Sequence, residues 1–137
     1  MILDVRIFGE PVAQGRARAR VFQHAGAPRV SLYDPATSRD WKRTVLAQVL
    51  PSKPAAPVEG ALVMHLTFLL PRPKSLPKRE RHPVRRPDLS NFLKAIEDAL
   101  AGVVYRDDAQ IVRLHVEKRY DPAPGVHIMI ERVVVDS

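Results

Sequence analysis

Between Arg85 and Asp108 the sequence reads RRPDLSNFLKAIEDALAGVVYRDD, and it holds Asp88, Glu97, Asp98, Asp107 and Asp108, five of the fifteen acidic residues. The chain as a whole carries a formal net charge of +7, so this gathering of acid runs against its composition. Carboxylates that crowd one another need a cation to relieve their repulsion, and hard oxygen donors of this kind suit Mg²⁺ or Mn²⁺. A divalent metal beside a basic surface is the equipment of phosphodiester hydrolysis, since it polarises a phosphoryl oxygen and lowers the pKa of a bound water. Lys94, set among the acids, is placed to stabilise charge developing on the phosphate.

The element that must position these groups is a helix over Asp88 to Ala101, ended by Gly102. At about 100° per residue from Asp88, the apolar set Leu89, Phe92, Leu93, Ile96, Ala99, Leu100 and Val103 spans roughly 20° to 140°. On the same scale Asn91 falls at about 300°, Asp98 at about 280° and Lys94 at about 240°. Ser90 lies further round at about 200°, and Glu97 at about 180°. One face packs and the other presents an Asp-Asn-Lys-Asp row. Two readings of that row stay open: an ordinary charged outer face with Asp88 as an N-cap, or a catalytic face. Asp107 and Asp108 favour the second, because a short return after Gly102 is expected to bring them beside the start of the helix.

Around this helix the chain alternates strands, basic segments and one further helix. Ile2–Gly9 reads as a strand, and Ala61–Leu70 as a longer, mostly buried one. Arg16, Arg18 and Arg20, spaced by two, share one side of extended backbone and are expected to form an arm or hairpin with Arg29–Tyr33. A helix starts near Asp34 and carries Trp41, Val45, Leu46 and Val49. The run PRPKSLPKRERHPVRRP is broken by proline and strongly basic, so it reads as a mobile loop whose Arg79, Arg81, Arg85 and Arg86 hold a phosphate backbone. Val112, Leu114 and Val116 alternate with polar residues as a strand, and a last strand runs from about Val126 to Val135. The expected architecture is α+β over residues 1–137 as a single domain, with two helices packed on a mixed sheet.

Composition narrows the function further. The chain has 137 residues, 22 Lys and Arg, and no cysteine, which excludes a thiolate zinc site and a cysteine nucleophile. Its five histidines are scattered. No glycine-rich phosphate loop is present, so no nucleotide cofactor is expected. The longest apolar run is too short to cross a bilayer, and no basic n-region opens the chain, so a cytoplasmic protein without a membrane association is expected. The positive charge points to a nucleic-acid partner.

The stretch RPDLSNFLKAIEDALAGVVYRDDAQI also resembles the signature of RusA-type Holliday junction resolvases, crossover-junction endodeoxyribonucleases of bacteria and phages. That signature is an Asp-x-Asp-Asn near a helix start, a lysine a turn later, an Asp-Ala-Leu, and an Asp-Asp-(Ala/Ser)-Gln. A weaker likeness extends to Gly9–Arg16 and to Tyr33-Asp-Pro. The resemblance implies a RusA-like fold and a Mg²⁺-dependent homodimer, with Mn²⁺ as substitute, that nicks a four-way DNA junction symmetrically in recombination and repair. It places catalytic roles on Asp88, Lys94 and Asp108, and metal ligation on Asp88, Asp107 and Asp108. The second motif aspartate is replaced by Ser90, a poor metal ligand, leaving Asp107, Asp98 or Asn91 to compensate. A junction-binding protein of phage or mobile-element origin that does not cleave is the alternative. An RNA-binding accessory protein fits the charge but leaves the acids unexplained.

Overall fold

The computed structural model describes residues 1–14, 18–24, 27–33 and 36–134, and side chains for 1–14 and 36–134. Six strands and two helices follow one another as β1 (Leu3–Phe8), β2 (Arg18–His24), β3 (Ala27–Tyr33), α1 (Ala36–Val49), β4 (Leu62–Leu70), α2 (Leu89–Leu100), β5 (Ile111–Tyr120) and β6 (Gly125–Arg132). Four of the strands form a sheet in the order β1-β6-β4-β5, and β2 and β3 pair separately. β6 runs antiparallel to both β1 and β4, whereas β5 lies parallel to β4. The fold is therefore α+β with a mixed sheet and two helices.

The parallel pair explains the placing of the acidic helix. Two adjacent parallel strands cannot be joined by a hairpin and need a long crossover, usually a helix. The chain from 71 to 110 is that crossover, and α2 is its helix. Alternate residues of β4 (Leu62, Met64, Leu66, Phe68) and β6 (Val126, Ile128, Ile130) are fully or almost fully buried, with Leu3 and Ile7 from β1. They form one core with Trp41, Val45 and Val49 of α1 and Phe92, Ala95, Ile96, Ala99 and Leu100 of α2. The period of two on the sheet meets the period near 3.6 on each helix. Phe92 stacks on Phe68 with ring centroids 5.1 Å apart. Gly102 stops α2 with φ at +82°, a left-handed conformation that only glycine adopts without strain.

Three sequence expectations change here. Alternation places Val112 and Leu114 on the core face, yet they are 58% and 41% exposed. β5 is an edge strand, and its register against β4 slips between Leu62 and Val63. The basic loop reads as too polar to pack. Instead Leu76 and Pro83 are buried in it, and Arg72 donates to the carbonyls of Pro77 and Glu80. Lys118 Nζ also donates to the carbonyls of Arg85 and Pro87, at 2.9 and 3.0 Å. The third change concerns Asp108 and follows below.

The arm expected at residues 16–33 is an antiparallel hairpin, in which Arg18 stands opposite Tyr33 and Arg20 opposite Ser31. Arg16 lies outside the described residues, as do the side chains of Arg18 and Arg20.

Phe92→Ala removes a buried ring that joins α2 to β4. It is expected to cost about 3–5 kcal/mol of folding stability, which urea denaturation followed by circular dichroism checks.

Candidate active site

α2 carries its functional groups along the face turned away from the core. Asp88 occupies the N-cap position, but its exposed carboxylate caps nothing and has no partner among the described residues. Ser90 and Asn91 are exposed in the first turn. Ten residues after Asp88, about 15 Å along the axis, Asp98 is surrounded by cationic and polar groups. Lys94 Nζ lies 3.4 Å from Asp98 Oδ1, and Lys42 Nζ of α1 lies 3.6 Å from Oδ2. The Gln14 side-chain amide donates to Oδ2 as well. Gln14 is held by its backbone N–H, which donates to the Asn91 carbonyl at 3.0 Å. The preceding residue's carbonyl accepts from Ser38 Oγ on α1. The segment before the arm thus straps α1 to α2 across Asp98.

The Asp-Asp pair divides its labour. Asp107 caps the 3₁₀ turn Asp108–Gln110, its Oδ1 accepting from the Ala109 N–H at 2.9 Å. Gln110 completes that box: its Oε1 accepts from the N–H groups of Arg106 and Asp107, and its Nε2 donates to the carbonyls of Val58 and Gly60. Asp108 turns the other way. Its Oδ1 accepts a 2.9 Å hydrogen bond from the hydroxyl of Tyr105, a residue with no exposed surface.

Electrostatics tie Asp108 to the last turns of α2. Burial raises the Glu97 pKa above the usual carboxylate value, the nearby Asp108 raises it further, and Lys94 opposes both. Burial is also the first cause of a raised Tyr105 pKa, followed by the hydrogen bond to Asp108 and the charges of Asp108, Glu97 and Asp98. Lys94, Glu97, Asp98 and Asp108 therefore form one cluster above Tyr105. The return after Gly102 reaches the end of α2, not its start as expected from the sequence, because β5 begins at that end of the crossover and reaches the helix start only at Lys118. Asp88, Ser90 and Asn91 stand apart from the cluster.

Two members escaped the sequence reading. Glu97 was seen only as an outer-face charge, although its angle, close to that of Ser90, was a usable signal. Tyr105 gave none, since a tyrosine in a short loop has no periodicity to assign it.

The basic loop lies before the start of α2. Arg79, Arg81, Arg85 and Arg86 are all exposed, and their guanidinium groups form no ion pair among the described residues. Among those residues no group of three or more His, Asp or Glu side chains is positioned to hold a metal ion. Mg²⁺, however, commonly binds through one or two carboxylates, with waters and substrate phosphate completing its shell. The neighbouring carboxylates of Glu97 and Asp108, the second raising the cost of ionising the first, fit that smaller requirement.

The Tyr105 bond is testable by pH. Its folded-state pKa lies above the unfolded value of about 10.0, so the stabilisation is complete below that pH and is lost as pH rises, when the unfolded chain releases its proton first. Tyr105→Phe is expected to lower stability by about 1.5 kcal/mol at neutral pH. It should also flatten the alkaline loss in a series of denaturation curves from pH 8 to 11.

Comparison with known proteins shows the family of the chain. A curated Bacillus subtilis (strain 168) protein, the uncharacterized protein YqaN, is 34% identical over 137 residues, covering 93% of this chain and 94% of that one. The family model for endodeoxyribonuclease RusA matches residues 9–131, a span that takes in the strap, the arginine loop, α2 and the Asp-Asp turn. The chain belongs to the RusA endodeoxyribonuclease family.

Proposed function

We propose that this protein is a Mg²⁺-dependent, structure-selective endodeoxyribonuclease that resolves four-way DNA junctions by paired symmetrical nicks, acting as a homodimer in the cytoplasm of a bacterial cell. The observation that carries this reading is the cluster of Lys94, Glu97, Asp98 and Asp108 at the far end of a helix whose start adjoins four unpaired arginines. Family membership supports endodeoxyribonuclease chemistry.

In this reading the loop arginines bind backbone phosphates, which fixes register without reading sequence. Lys94 meets the scissile phosphate and offsets the charge that develops on it. Asp98, bridging Lys94 and Lys42, holds that ammonium in place. Tyr105 orients Asp108 through their hydrogen bond. Asp108 and Glu97 are the carboxylates suited to hold Mg²⁺, which supplies Lewis-acid polarisation and a more acidic water when bound. Asp88, free and exposed, is the further acid that the family signature assigns to the site.

A second reading rests on Ser90. The signature has an aspartate there, and its loss favours a protein that binds junctions without cutting them. Both readings predict tight, salt-dependent DNA binding, and metal-dependent cleavage separates them.

The deciding experiment is a gel assay on a synthetic four-way junction and a linear duplex, each in Mg²⁺, Mn²⁺ and EDTA. Paired nicks in the junction alone, lost in EDTA and reduced at least about a thousandfold by Asp108→Asn with binding retained, are expected. Binding without cleavage in either metal selects the second reading.

Replacing Arg79, Arg81, Arg85 and Arg86 together by alanine should weaken junction binding. It should also lower the slope of log K against log salt by up to about four, because fewer counterions are released. An unchanged slope removes the loop from the DNA contact.

A further inference from the structure

The side chains of Val112, Leu114, Val116, Lys118 and Tyr120 share one face of β5. Register sets Val116 beside Leu66 and Lys118 beside Phe68, so this is the face that carries the core and the helices. Alternation calls for an apolar residue at 118, and the chain puts a lysine there. A buried charge is costly unless it is hydrogen-bonded. No carboxylate lies within ion-pair distance of this ammonium among the described residues. The half-buried Lys118 instead gives two of its three N–H donors to main-chain carbonyls, that of Arg85 at 2.9 Å and that of Pro87 at 3.0 Å. Proteins break pattern rules of this kind mainly at functional sites.

The lysine ties down the point where two parts of the proposed site meet. Its two carbonyls bracket Arg86, and Asp88 follows directly. One donor group shared by carbonyls two residues apart fixes the peptide units between them. Downstream, Asp88 at the N-cap position of α2 keeps an exposed carboxylate with no partner among the described residues. Upstream, the guanidinium groups of Arg85 and Arg86 are exposed and form no ion pair among those residues. The other anchors of the loop lie further back: Leu76 and Pro83 are buried, and Arg72 holds the carbonyls of Pro77 and Glu80. An apolar side chain at 118 would leave the carbonyls of Arg85 and Pro87 untied. An acid placed there would cancel positive charge beside the arginines, whereas the ammonium adds to it.

We infer that Lys118 is a positioning residue: by holding the carbonyls on either side of Arg86, it keeps the arginines of the loop and the carboxylate of Asp88 in one register, so that a backbone phosphate gripped by the loop is presented to α2 in the geometry for cleavage. The inference rests on the nuclease reading above and deepens it with a residue from the far strand. Loss of the tie leaves the arginines able to hold DNA but lets the phosphate and Asp88 drift apart, and a misplacement of about 1 Å costs about a hundredfold in rate.

The test compares Lys118→Met, which keeps the length of the stem and removes the donors, with Lys118→Arg, which keeps donors and charge. Single-turnover cleavage of a saturating four-way junction is measured in Mg²⁺, and junction Kd and its salt dependence in EDTA. Lys118→Met should slow cleavage about a hundredfold, change Kd by less than about threefold, and leave the salt slope as it is, since no phosphate contact is lost. Lys118→Arg should cleave within about tenfold of the unsubstituted protein. In the free protein, brief trypsin treatment read by mass spectrometry should show more nicking after Arg85, relative to Arg79, in Lys118→Met. A rate and a Kd that fall together, with the salt slope lower by about one, make Lys118 a phosphate contact and overturn the inference. An unchanged rate, an unchanged nicking ratio, or an arginine variant no faster than the methionine one overturns it too. Failure of the unsubstituted protein to cut in either metal sinks the nuclease reading and this role with it, whereas loss of the split in a protein that cuts sinks Lys118 alone.

Discussion

The parallel ladder between β4 and β5 is the constraint on which the rest of the structure depends. Antiparallel neighbours need only a turn, but these two strands run the same way, so the chain must travel back along the sheet before β5 can begin. That return carries the arginine loop, the acidic helix and the Asp-Asp turn in fixed order. It sets the basic loop at one end of α2 and Asp108 at the other. Apolar burial on α2 supplies the adhesion, and the opposite face is left for chemistry.

On that face the energetic problem is concentrated negative charge. Asp98 and Asp108 lie close enough to Glu97 to raise its pKa, and all three carboxylates bear on Tyr105. The chain offsets this unevenly. Asp98 receives two ammonium groups and an amide, from three different segments. Among the described residues Asp108 receives one hydroxyl, and Lys94 is the cation that offsets the charge around Glu97. Asp98 is thus compensated within the chain, while the Glu97–Asp108 pair keeps an excess of negative charge that a cation or a bound phosphate with its counter-ion would offset. Asp107, adjacent in sequence, is occupied in capping the turn. Neighbouring aspartates have separate tasks because successive side chains point in different directions.

Much of this was legible in the sequence. The helix from Asp88, its stop at Gly102, the strand before Leu70, the basic hairpin and the α+β class all follow from local periodicity and capping. The family signature was readable for the same reason, since its residues lie within a short span. Of the residues in it, Lys94 and Asp98 lie 3.4 Å apart, Asp108 accepts from Tyr105, and Asp88 stands apart from them. The exposure of Val112 and Leu114 was not legible, because alternation cannot tell an inner strand from an outer one. Nor was the packing of the basic loop, anchored by Leu76, Pro83 and a lysine from a distant strand.

What the sequence determined by itself, then, is the set of elements and the chemical character of each face, because those depend on residues a few positions apart. Only the tertiary structure decided that Asp108 joins Glu97 at the end of α2 while Asp88 stands free at its start. It alone recruited Tyr105, Gln14 and Lys42, from a loop, a strap and another helix. Strand order and the direction of the crossover fix those meetings, and neither is encoded in any local window of the chain.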